Sequence, residues 1–546
     1  MNFSYFNRQA TLQKFDKKQY DIVIIGGGIT GAGIALDASL RGLKTALFEK
    51  HDFAFGTSSR STKLIHGGLR YLKQLEFGLV KEVGSERAIV HKLAPHLVIA
   101  EKMLLPLNEG RGLGSFLASF GLKLYDWLAG VKPEDQRRML TRKQTLKAEP
   151  LLKPDDIKGS GFYAEYRTDD ARLTIEIIKT AAANGADILN YCEVTDFIYE
   201  EDKIVRVKVR DMLSNQEYEV RALSVVNATG PWVDELREID KSKKGKQLHL
   251  TKGVHVVVPY EKLPVRQAIY FDVTDGRMIF AIPRGRTTYI GTTDTDYHGK
   301  QEEVITTKED AVYLLDAVNE TFPSIKLQLQ DVESSWAGLR PLIHEDGKSA
   351  SELSRKDEIF VSDSGLISMA GGKLTGYRKM AERAINLVIK RSFSDRNLNE
   401  CHTAMVKLSG GEFRNAKEVT DYTNQSTGSL KEIGLEQYAK YLVSNYGRQS
   451  DAIVEYVKNM DEPGTDLALA KAELWFCVHH EMVISPLDFF VRRTGMLFFY
   501  MNRLPALVQP MMEEFKRYFE WSDEKLNEEL KKLKKAIHEA TLTNAQ

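Results

Sequence analysis

Cysteine is scarce in this chain, and neither sign of charge is in excess. The 546 residues include three cysteines, Cys192, Cys401 and Cys477, which are far apart and show no CxxC spacing. This excludes a disulfide framework and a cysteine zinc site, and it fits a reducing compartment. Basic and acidic residues balance at 76 each, which argues against a general nucleic-acid binder. We expect no nucleic-acid partner, and any anion site must be local.

Long apolar segments are also missing. The first residues, MNFSYFNRQATLQKFDKKQYD, contain no apolar stretch of the kind found in a secretory signal, and no apolar run reaches the length of a membrane-spanning helix. We therefore expect a cytoplasmic protein. A hydrophobic content of 42% and a charged content of 28% are typical of a globular protein. The length predicts two or three domains.

A strand, turn, helix and strand follow one another in YDIVIIGGGITGAGIALDASLRGLKTALFEK, residues 20–50. Gly26 permits the tight turn, Gly28 lets the backbone approach a pyrophosphate, and Gly31 lets the helix pack closely on the sheet. The helix start offers N–H groups and a positive dipole end to phosphates. Glu49 ends the second strand and can accept hydrogen bonds from a ribose diol. The pattern predicts a dinucleotide site that disfavours NADP and leaves FAD and NAD open.

Two later segments bear on that choice. ALSVVNATGPW, residues 222–232, is an apolar strand that runs into Ala228 and Gly230. Residues 357–385 contain two strands, a Gly371-Gly372 break and a long helix. A second helix N-terminus near a flavin would stabilise the negative charge of the reduced ring. The spacing alone does not separate this interpretation from an ordinary packing element.

A cluster of basic residues lies in TSSRSTKLIHGGLRYL, residues 57–72. It contains Arg60, Lys63, His66 and Arg70 and no acid. Arginine suits a phosphate because its planar fork donates two hydrogen bonds at once. The cluster raises the question of which anion it binds.

The chain resembles the FAD-dependent glycerol-3-phosphate dehydrogenases of the D-amino-acid-oxidase-like flavoprotein superfamily. The resemblance extends over nearly the whole chain and is carried by IIGGGITGAGIALDASLRGL, TSSRSTKLIHGGLRYL, TDDARL, NATGPW, IGTTDTDY, GLRPL, GGKLTGYRKMAE, AELWFCVHHEM and RRTGM. It implies an α/β fold: a Rossmann-type FAD-binding domain, an α+β substrate domain with an antiparallel sheet, and a C-terminal helical domain. We predict the FAD-binding domain at 18–81, 157–232 and 344–396, the substrate domain at 82–156 and 233–343, and the helical domain at 397–546.

The resemblance implies FAD as the cofactor. Thr57, Ser58 and Ser59 suit hydrogen bonds to its pyrophosphate or ribitol, and Gly67-Gly68 would let the backbone approach the flavin ring. The predicted cofactor-binding residues are Gly26, Gly28, Gly31, Glu49, Thr57, Ser58, Ser59, His66, Gly67, Gly68, Ala228, Gly230, Gly371, Gly372, Lys373, Leu374 and Thr375. We predict no metal site, because His479, His480 and Glu481 do not form HExxH.

The implied substrate is sn-glycerol 3-phosphate, oxidised at its C2 alcohol to dihydroxyacetone phosphate by hydride transfer to FAD. The predicted substrate-binding residues are Arg70, Tyr71, Arg340, Arg355 and Lys373. Lys373, His66 and Arg340 are predicted at the catalytic centre. Lys373 is preferred for proton transfer, with His66 second, since arginine stays protonated. Asp170 and Arg172 are expected to be structural.

The electron acceptor stays open at this point. A quinone is expected, and the alternatives are an oxidase that uses oxygen, an amine or amino-acid oxidase of the same superfamily, and a non-catalytic FAD-binding scaffold. Residues 114–130, GSFLASFGLKLYDWLAG, would either lie in a membrane interface or pack in the core. Peripheral contact with the inner face of the cell membrane, and a homodimer, are further predictions from the resemblance.

Overall fold

The structure is a computed structural model that describes residues 3–65, 77–108, 137–344 and 357–542. In chain order the strands are β1 (Tyr20–Ile25), β2 (Thr45–Phe48), β3 (Leu64–Ile65), β4 (Ile99–Asn108), β5 (Arg138–Thr141), β6 (Ile157–Arg167), β7 (Asp187–Leu189), β8 (Cys192–Glu200), β9 (Lys203–Asp211), β10 (Glu217–Asn227), β11 (Leu248–Pro259), β12 (Ala268–Asp272), β13 (Met278–Arg284), β14 (Thr287–Gly291), β15 (Thr295–Asp296), β16 (Ser334–Ile343), β17 (Asp357–Val361) and β18 (Ile367–Gly371).

The helices alternate with strands in the first part of the chain and follow one another in the last part. In chain order they are α1 (Arg8–Phe15), α2 (Ile29–Leu40), α3 (Phe77–Leu93), α4 (Arg142–Ala148), α5 (Asp170–Ala183), α6 (Val233–Ile239), α7 (Lys308–Thr321), α8 (Tyr377–Ser392), α9 (Ala416–Lys431), α10 (Ala439–Tyr446), α11 (Ser450–Lys458), α12 (Asp466–His480), α13 (Met496–Phe499), α14 (Leu504–Phe519) and α15 (Asp523–Ala540). Within these ranges, no helix combines the length and the apolar composition that a membrane crossing requires.

The first sheet is the predicted Rossmann-type sheet. Its strands follow the order β17-β18-β10-β1-β2-β7, and β8 and β9 extend it from β10. β1 is buried at every position and lies parallel to β10 and β2. Ile25 is in register with both Phe48 and Asn227, so the loops after β1, β2 and β10 meet at one edge. Ligands of open α/β sheets bind at this edge, beyond the carboxyl ends of the strands.

Helix α2 begins directly after the glycine turn and packs between α5 and α8. Gly42, with φ of +89°, follows the end of this helix, because glycine adopts the left-handed conformation there at low steric cost. The first sheet and these helices enclose one hydrophobic core, which also takes Leu12 and Phe15 of α1.

The second sheet follows the order β15-β11-β14-β13-β12-β4-β6-β3, with β16 beside β11 and β5 beside β6. Most of its pairs are antiparallel, as predicted, but β12 and β4 run parallel. One face packs on α7 through apolar side chains such as Val256 and Ile290. The other face, including Tyr289 and Trp336, shares a core with the C-terminal helices.

The strand pairing differs from the predicted domain division at two places. β6 begins at Ile157, where the prediction placed the return to the FAD-binding domain, yet it pairs along β4 in the second sheet. β3 lies within the predicted segment 18–81 and also pairs with β6. A strand belongs to the sheet that satisfies its backbone hydrogen bonds, so on pairing alone the return comes at α5. The remaining domain boundaries stay predictions.

Candidate active site

The glycine turn after β1 lines a cavity at the edge of the first sheet. Gly26 has a φ of +107°, and a Cβ there would lie 2.7 Å from the carbonyl oxygen of Ala228. A Cβ at Gly31 would lie 1.9 Å from the Gly26 oxygen, so this glycine serves the packing of α2 rather than the cavity wall. Gly26 and Gly28 line the cavity, and α2 begins beside it.

Glu49 holds the turn from the next loop. Its Oε2 accepts a hydrogen bond from Gly27 N at 2.6 Å, and its Oε1 accepts one from His51 N at 2.8 Å. Burial raises the pKa of Glu49, and these two backbone hydrogen bonds lower it in part. Glu49 lines the cavity as predicted for a ribose-binding acid, and it also fixes the backbone of the glycine turn.

The three hydroxyl residues 57–59 do not share one role. Thr57 and Ser58 line the cavity, where Thr57 Oγ1 donates to the carbonyl oxygen of Leu339 and Ser58 Oγ accepts from Ile29 N. Ser59 is buried and is not among the lining residues. Ser58 therefore caps the start of α2, and the predicted role of Ser59 in cofactor binding stays a prediction.

The junction between β18 and α8 lines the same cavity. Gly371 and Gly372 have φ values of +71° and +86°, which a residue with a side chain rarely adopts. The residues that line the cavity here are Ala228, Gly230, Gly371, Gly372, Lys373, Leu374 and Thr375. The structure thus brings together loops that are more than 300 residues apart in sequence.

Arg340 on β16 is fixed by its neighbours. Its Nη2 donates to Thr292 Oγ1 at 2.8 Å, and its Nη1 donates to Asp294 Oδ1 at 3.2 Å. The guanidinium lies against Gly253, where a Cβ would come within 2.1 Å of Nη2. Thr292 and Asp294 belong to the IGTTDTDY motif, so this motif orients a cation at the cavity wall.

His255 was not among the predicted site residues, but it lines the same cavity. Its Nε2 lies 3.0 Å from Thr62 Oγ1, and its ring stacks on Trp336 with 4.8 Å between centroids. A Cβ at Gly291 would lie 2.1 Å from the imidazole. Burial lowers the pKa of His255 well below its usual value, and the charge of Arg340 lowers it further. His255 is therefore neutral at pH 7.

The signal for His255 lies in strand periodicity. Gly253 and His255 are two residues apart in β11, so they face the same side of the sheet. Register places them opposite Gly338 and Trp336 of β16. The segment VHVVVPY is apolar at most positions. It therefore predicts a strand but does not indicate which face of the sheet holds the site.

The described basic residues of segment 57–72 have different surroundings in the structure. Arg60 lines the cavity with its guanidinium 5.4 Å from the centroid of the Phe55 ring. Lys63 is buried and pairs with Asp170, which also accepts from Ser61 N. Asp170 is structural, as expected. Arg172, also expected to be structural, forms buried ion pairs with glutamates of α5 and of the loop after α12.

Six predicted site residues lie outside the described residues: His66, Gly67, Gly68, Arg70, Tyr71 and Arg355. Residues 114–130 lie outside them as well. Their roles stay predictions.

The cavity suits FAD. The starts of α2 and of the turn before α8 both lie at its wall, and helix N-termini favour phosphates and the negative charge of a reduced flavin. A Cβ at Gly28 would crowd Ser58 Oγ at 3.2 Å, so only glycine leaves this wall open to a pyrophosphate. The positive charge of Arg60 suits a phosphate, and the carboxylate of Glu49 suits the hydroxyl groups of a ribose.

Sequence comparison agrees with this geometry. Residues 21–378 match the FAD dependent oxidoreductase family, and residues 401–526 match the C-terminal domain of alpha-glycerophosphate oxidase. The chain belongs to the FAD dependent oxidoreductase family. This confirms the predicted fold class, the FAD cofactor and the oxidoreductase class.

The curated relatives are more specific. The chain is 49% identical over 548 residues to the aerobic glycerol-3-phosphate dehydrogenase of Bacillus subtilis (strain 168), covering 99% of this chain and 98% of the relative. It is 49% identical over 552 residues to the enzyme of the same name from Staphylococcus haemolyticus (strain JCSC1435), covering 100% and 99%. The crystal structure of the glycerol-3-phosphate dehydrogenase from Bacillus halodurans complexed with FAD superimposes with a TM-score of 0.84 at 44% identity, covering 99% of this chain and 98% of that one. The predicted family resemblance is confirmed.

Proposed function

We propose that this chain oxidises sn-glycerol 3-phosphate to dihydroxyacetone phosphate, with FAD as the hydride acceptor and a quinone as the final electron acceptor. One observation carries the proposal: a fixed arginine, Arg340, lies in the same cavity wall as a neutral histidine, His255, in a chain about half identical to aerobic glycerol-3-phosphate dehydrogenases along its full length.

Arg340 binds the phosphate, and Lys373 adds a second cation there in the alternative in which it is not the proton acceptor. Asp294 and Thr292 hold the guanidinium in one orientation, so little side-chain entropy is lost when the substrate binds. A guanidinium has five N–H donors, which lets it hold Asp294, Thr292 and a phosphate oxygen at the same time. Arg70, Tyr71 and Arg355, outside the described residues, complete this binding site in the proposal.

The reaction removes a proton from the C2 hydroxyl and a hydride from C2, leaving a ketone. Bound FAD supplies the hydride acceptor at its N5 position. Lys373 is the first candidate for the proton acceptor, and His66 is the second. The structure adds His255 as a third, because a neutral imidazole can accept a proton while an arginine cannot.

Steady-state rates with a panel of substrates test this proposal. We expect turnover of sn-glycerol 3-phosphate with an artificial dye acceptor, and little turnover of glycerol, of sn-glycerol 1-phosphate or of glycine. Glycerol lacks the phosphate, and the enantiomer places the C2 hydrogen on the wrong side of the flavin. Preferred turnover of an amino acid would support the amine-oxidase alternative instead.

The electron acceptor needs a separate measurement. We expect reduction of a soluble quinone analogue with little peroxide formed in air. Peroxide formed in proportion to substrate would indicate the oxidase alternative. Flotation with liposomes tests peripheral membrane contact, and light scattering tests a homodimer.

A further inference from the structure

The loop after β2 is joined to the C-terminal part of the chain by a buried ion pair. Asp52 is 0% exposed, and its two carboxylate oxygens accept a forked pair of hydrogen bonds from Arg493, at 2.8 and 2.9 Å. The neighbouring Arg492 donates from Nε to the same carboxylate at 2.5 Å. Both arginines belong to the RRTGM motif, and they are separated from Asp52 by more than 430 residues.

The carboxylate is charged inside the protein. Burial alone would raise the pKa of Asp52, but the guanidiniums of Arg493 and Arg492 outweigh it and lower the pKa to about 2. Removing the partners of a buried ionised group is strongly destabilising, because it leaves an unpaired charge inside the protein. The two adjacent arginines reach one carboxylate from a π-helical turn, Asp488–Arg493, a conformation that is rare and often marks functional positions.

The same loop forms part of the cofactor cavity. His51, Phe55 and Gly56 line the cavity on either side of Asp52. Ala54 N donates to Gly27 O at 3.0 Å, so the loop is bonded directly to the glycine turn. Arg492 also lies 5.7 Å from the centroid of the Phe55 ring. The side chain of Asp52 therefore holds the loop to the C-terminal part of the chain, while His51, Phe55 and Gly56 of the same loop line the cavity.

The loop has little regular structure of its own to fix it. Residues 49–56 lie between β2 and a short 3-10 turn, Thr57–Ser59. Ala54 has a φ of +60°, which costs free energy for a residue with a side chain and persists only where the surroundings impose it. The anchor at Asp52 is two residues away from this strained position.

We propose that Arg492 and Arg493 act through Asp52 as positioning residues for FAD, so that the C-terminal helical part of the chain is a functional part of the cofactor site. The proposal rests on FAD binding in this cavity and is independent of which substrate is oxidised.

The substitution Asp52→Asn tests the proposal, because an amide cannot accept the same set of charged hydrogen bonds. FAD release from the diluted holoenzyme is followed by the fluorescence of free flavin. We expect release to be roughly tenfold faster, within the usual range for coupling between two sites. Turnover of the enzyme that still holds FAD should change much less.

The matched control is Glu176→Gln. Glu176 is also 0% exposed and pairs with Arg172 and Lys179, and it accepts from Gln449 of the C-terminal part. It has no contact with residues 49–56 among its bonds. We expect wild-type FAD release in this variant. Equal acceleration in both variants, or wild-type release in a folded Asp52→Asn protein, would overturn the proposal.

A second measurement avoids substitution. Hydrogen exchange of the wild-type protein with and without FAD should show protection of residues 488–493 together with residues 49–56, because coupling between two sites is reciprocal. Helix α9 serves as the internal reference. Protection restricted to the cavity loops, with residues 488–493 unchanged, would also overturn the proposal.

Discussion

The guanidinium of Arg340 donates a hydrogen bond to the carboxylate of Asp294, with 3.2 Å between Nη1 and Oδ1. Strand β16 carries the arginine, and the aspartate follows β14, so the pair joins two elements of the second sheet. Asp294 is only 15% exposed at its side chain, and Arg340 is 19% exposed. A partly buried, oriented cation of this kind is better placed for a substrate phosphate than a mobile surface arginine.

The substitution Asp294→Asn should raise KM for sn-glycerol 3-phosphate. A hydrogen bond to a charged group contributes about 1.5–3 kcal/mol, so we expect a rise of roughly tenfold or more, with bound FAD unchanged. Steady-state kinetics with a dye acceptor provide the measurement. Glu333→Gln is the control, because it breaks the forked pair with Arg286 on the same sheet, and neither residue lines the cavity. Equal effects of both variants would contradict the role of Asp294.

Gly253→Ala should displace Arg340, because the added methyl group would lie 2.1 Å from its Nη2. A displacement of about 1 Å at a reacting site can lower kcat/KM roughly a hundredfold. Gly428→Ala is the control: apart from the backbone of its own helix, no atom of a described residue lies within 4 Å of its added Cβ, and the residue is inside helix α9. That variant should keep wild-type kinetics and gain about 0.5–1 kcal/mol of stability. Unchanged kinetics in Gly253→Ala would exclude Arg340 from substrate binding.

Lys373→Met should lower kcat if the lysine accepts the substrate proton, since general base catalysis typically contributes about 10²–10⁴-fold. Flavin content is measured for each variant and kcat is expressed per bound flavin, because Lys373 is also among the predicted cofactor-binding residues. Lys379→Met on the following helix removes a half-buried lysine that pairs with Glu382, and it should have no effect on kcat. A rise in KM with unchanged kcat would limit Lys373 to phosphate binding and transfer the proton-accepting role to His66 or His255.

His96 should make the protein less stable in acid. It is fully buried, and neither ring nitrogen has a hydrogen-bond partner in the described part of the chain. Burial lowers the pKa of His96 to about 3, and the charges of Arg172, Lys179 and Lys407 contribute. Because the unfolded chain then binds one more proton below pH 6.5, stability is full above that pH. Below pH 6.5 the free energy of unfolding falls by about 1.4 kcal/mol per pH unit, until the pH reaches the pKa of His96 in the folded protein.

The substitution His96→Leu removes this proton uptake without removing a hydrogen bond to a described residue. Its midpoint of thermal unfolding should therefore fall less than that of the wild type between pH 7 and pH 5. Parallel decline of the two midpoints would show that His96 does not stay neutral in the folded state.

Local patterns in the sequence predicted the first strand, the glycine turn and helix α2 correctly, because each depends on residues within about thirty positions. The ribose-binding role of Glu49 stays a prediction. The part of the cavity wall at Gly371 and Lys373 came from the resemblance, since spacing alone did not decide it. The 3-10 turn buries Ser59, which neither its own residue type nor those of its neighbours indicate, and its role in cofactor binding stays a prediction.

Contacts between distant elements were beyond sequence reasoning. His255 becomes a site residue only through strand register. Likewise, β6 begins at Ile157 and finds its partner β4 in the second sheet, a pairing that its local pattern does not indicate. The pairing of Asp52 with Arg493 joins residues 441 positions apart, and no periodicity of either segment indicates it.

Anaerobic titration of the purified holoenzyme with sn-glycerol 3-phosphate tests the central claim most directly. We expect the absorption band of oxidised FAD to bleach in proportion to substrate added, with dihydroxyacetone phosphate formed in equal amount. Glycerol at the same concentration should leave the band intact. A flavin that stays oxidised with the phosphorylated substrate would contradict the proposed function.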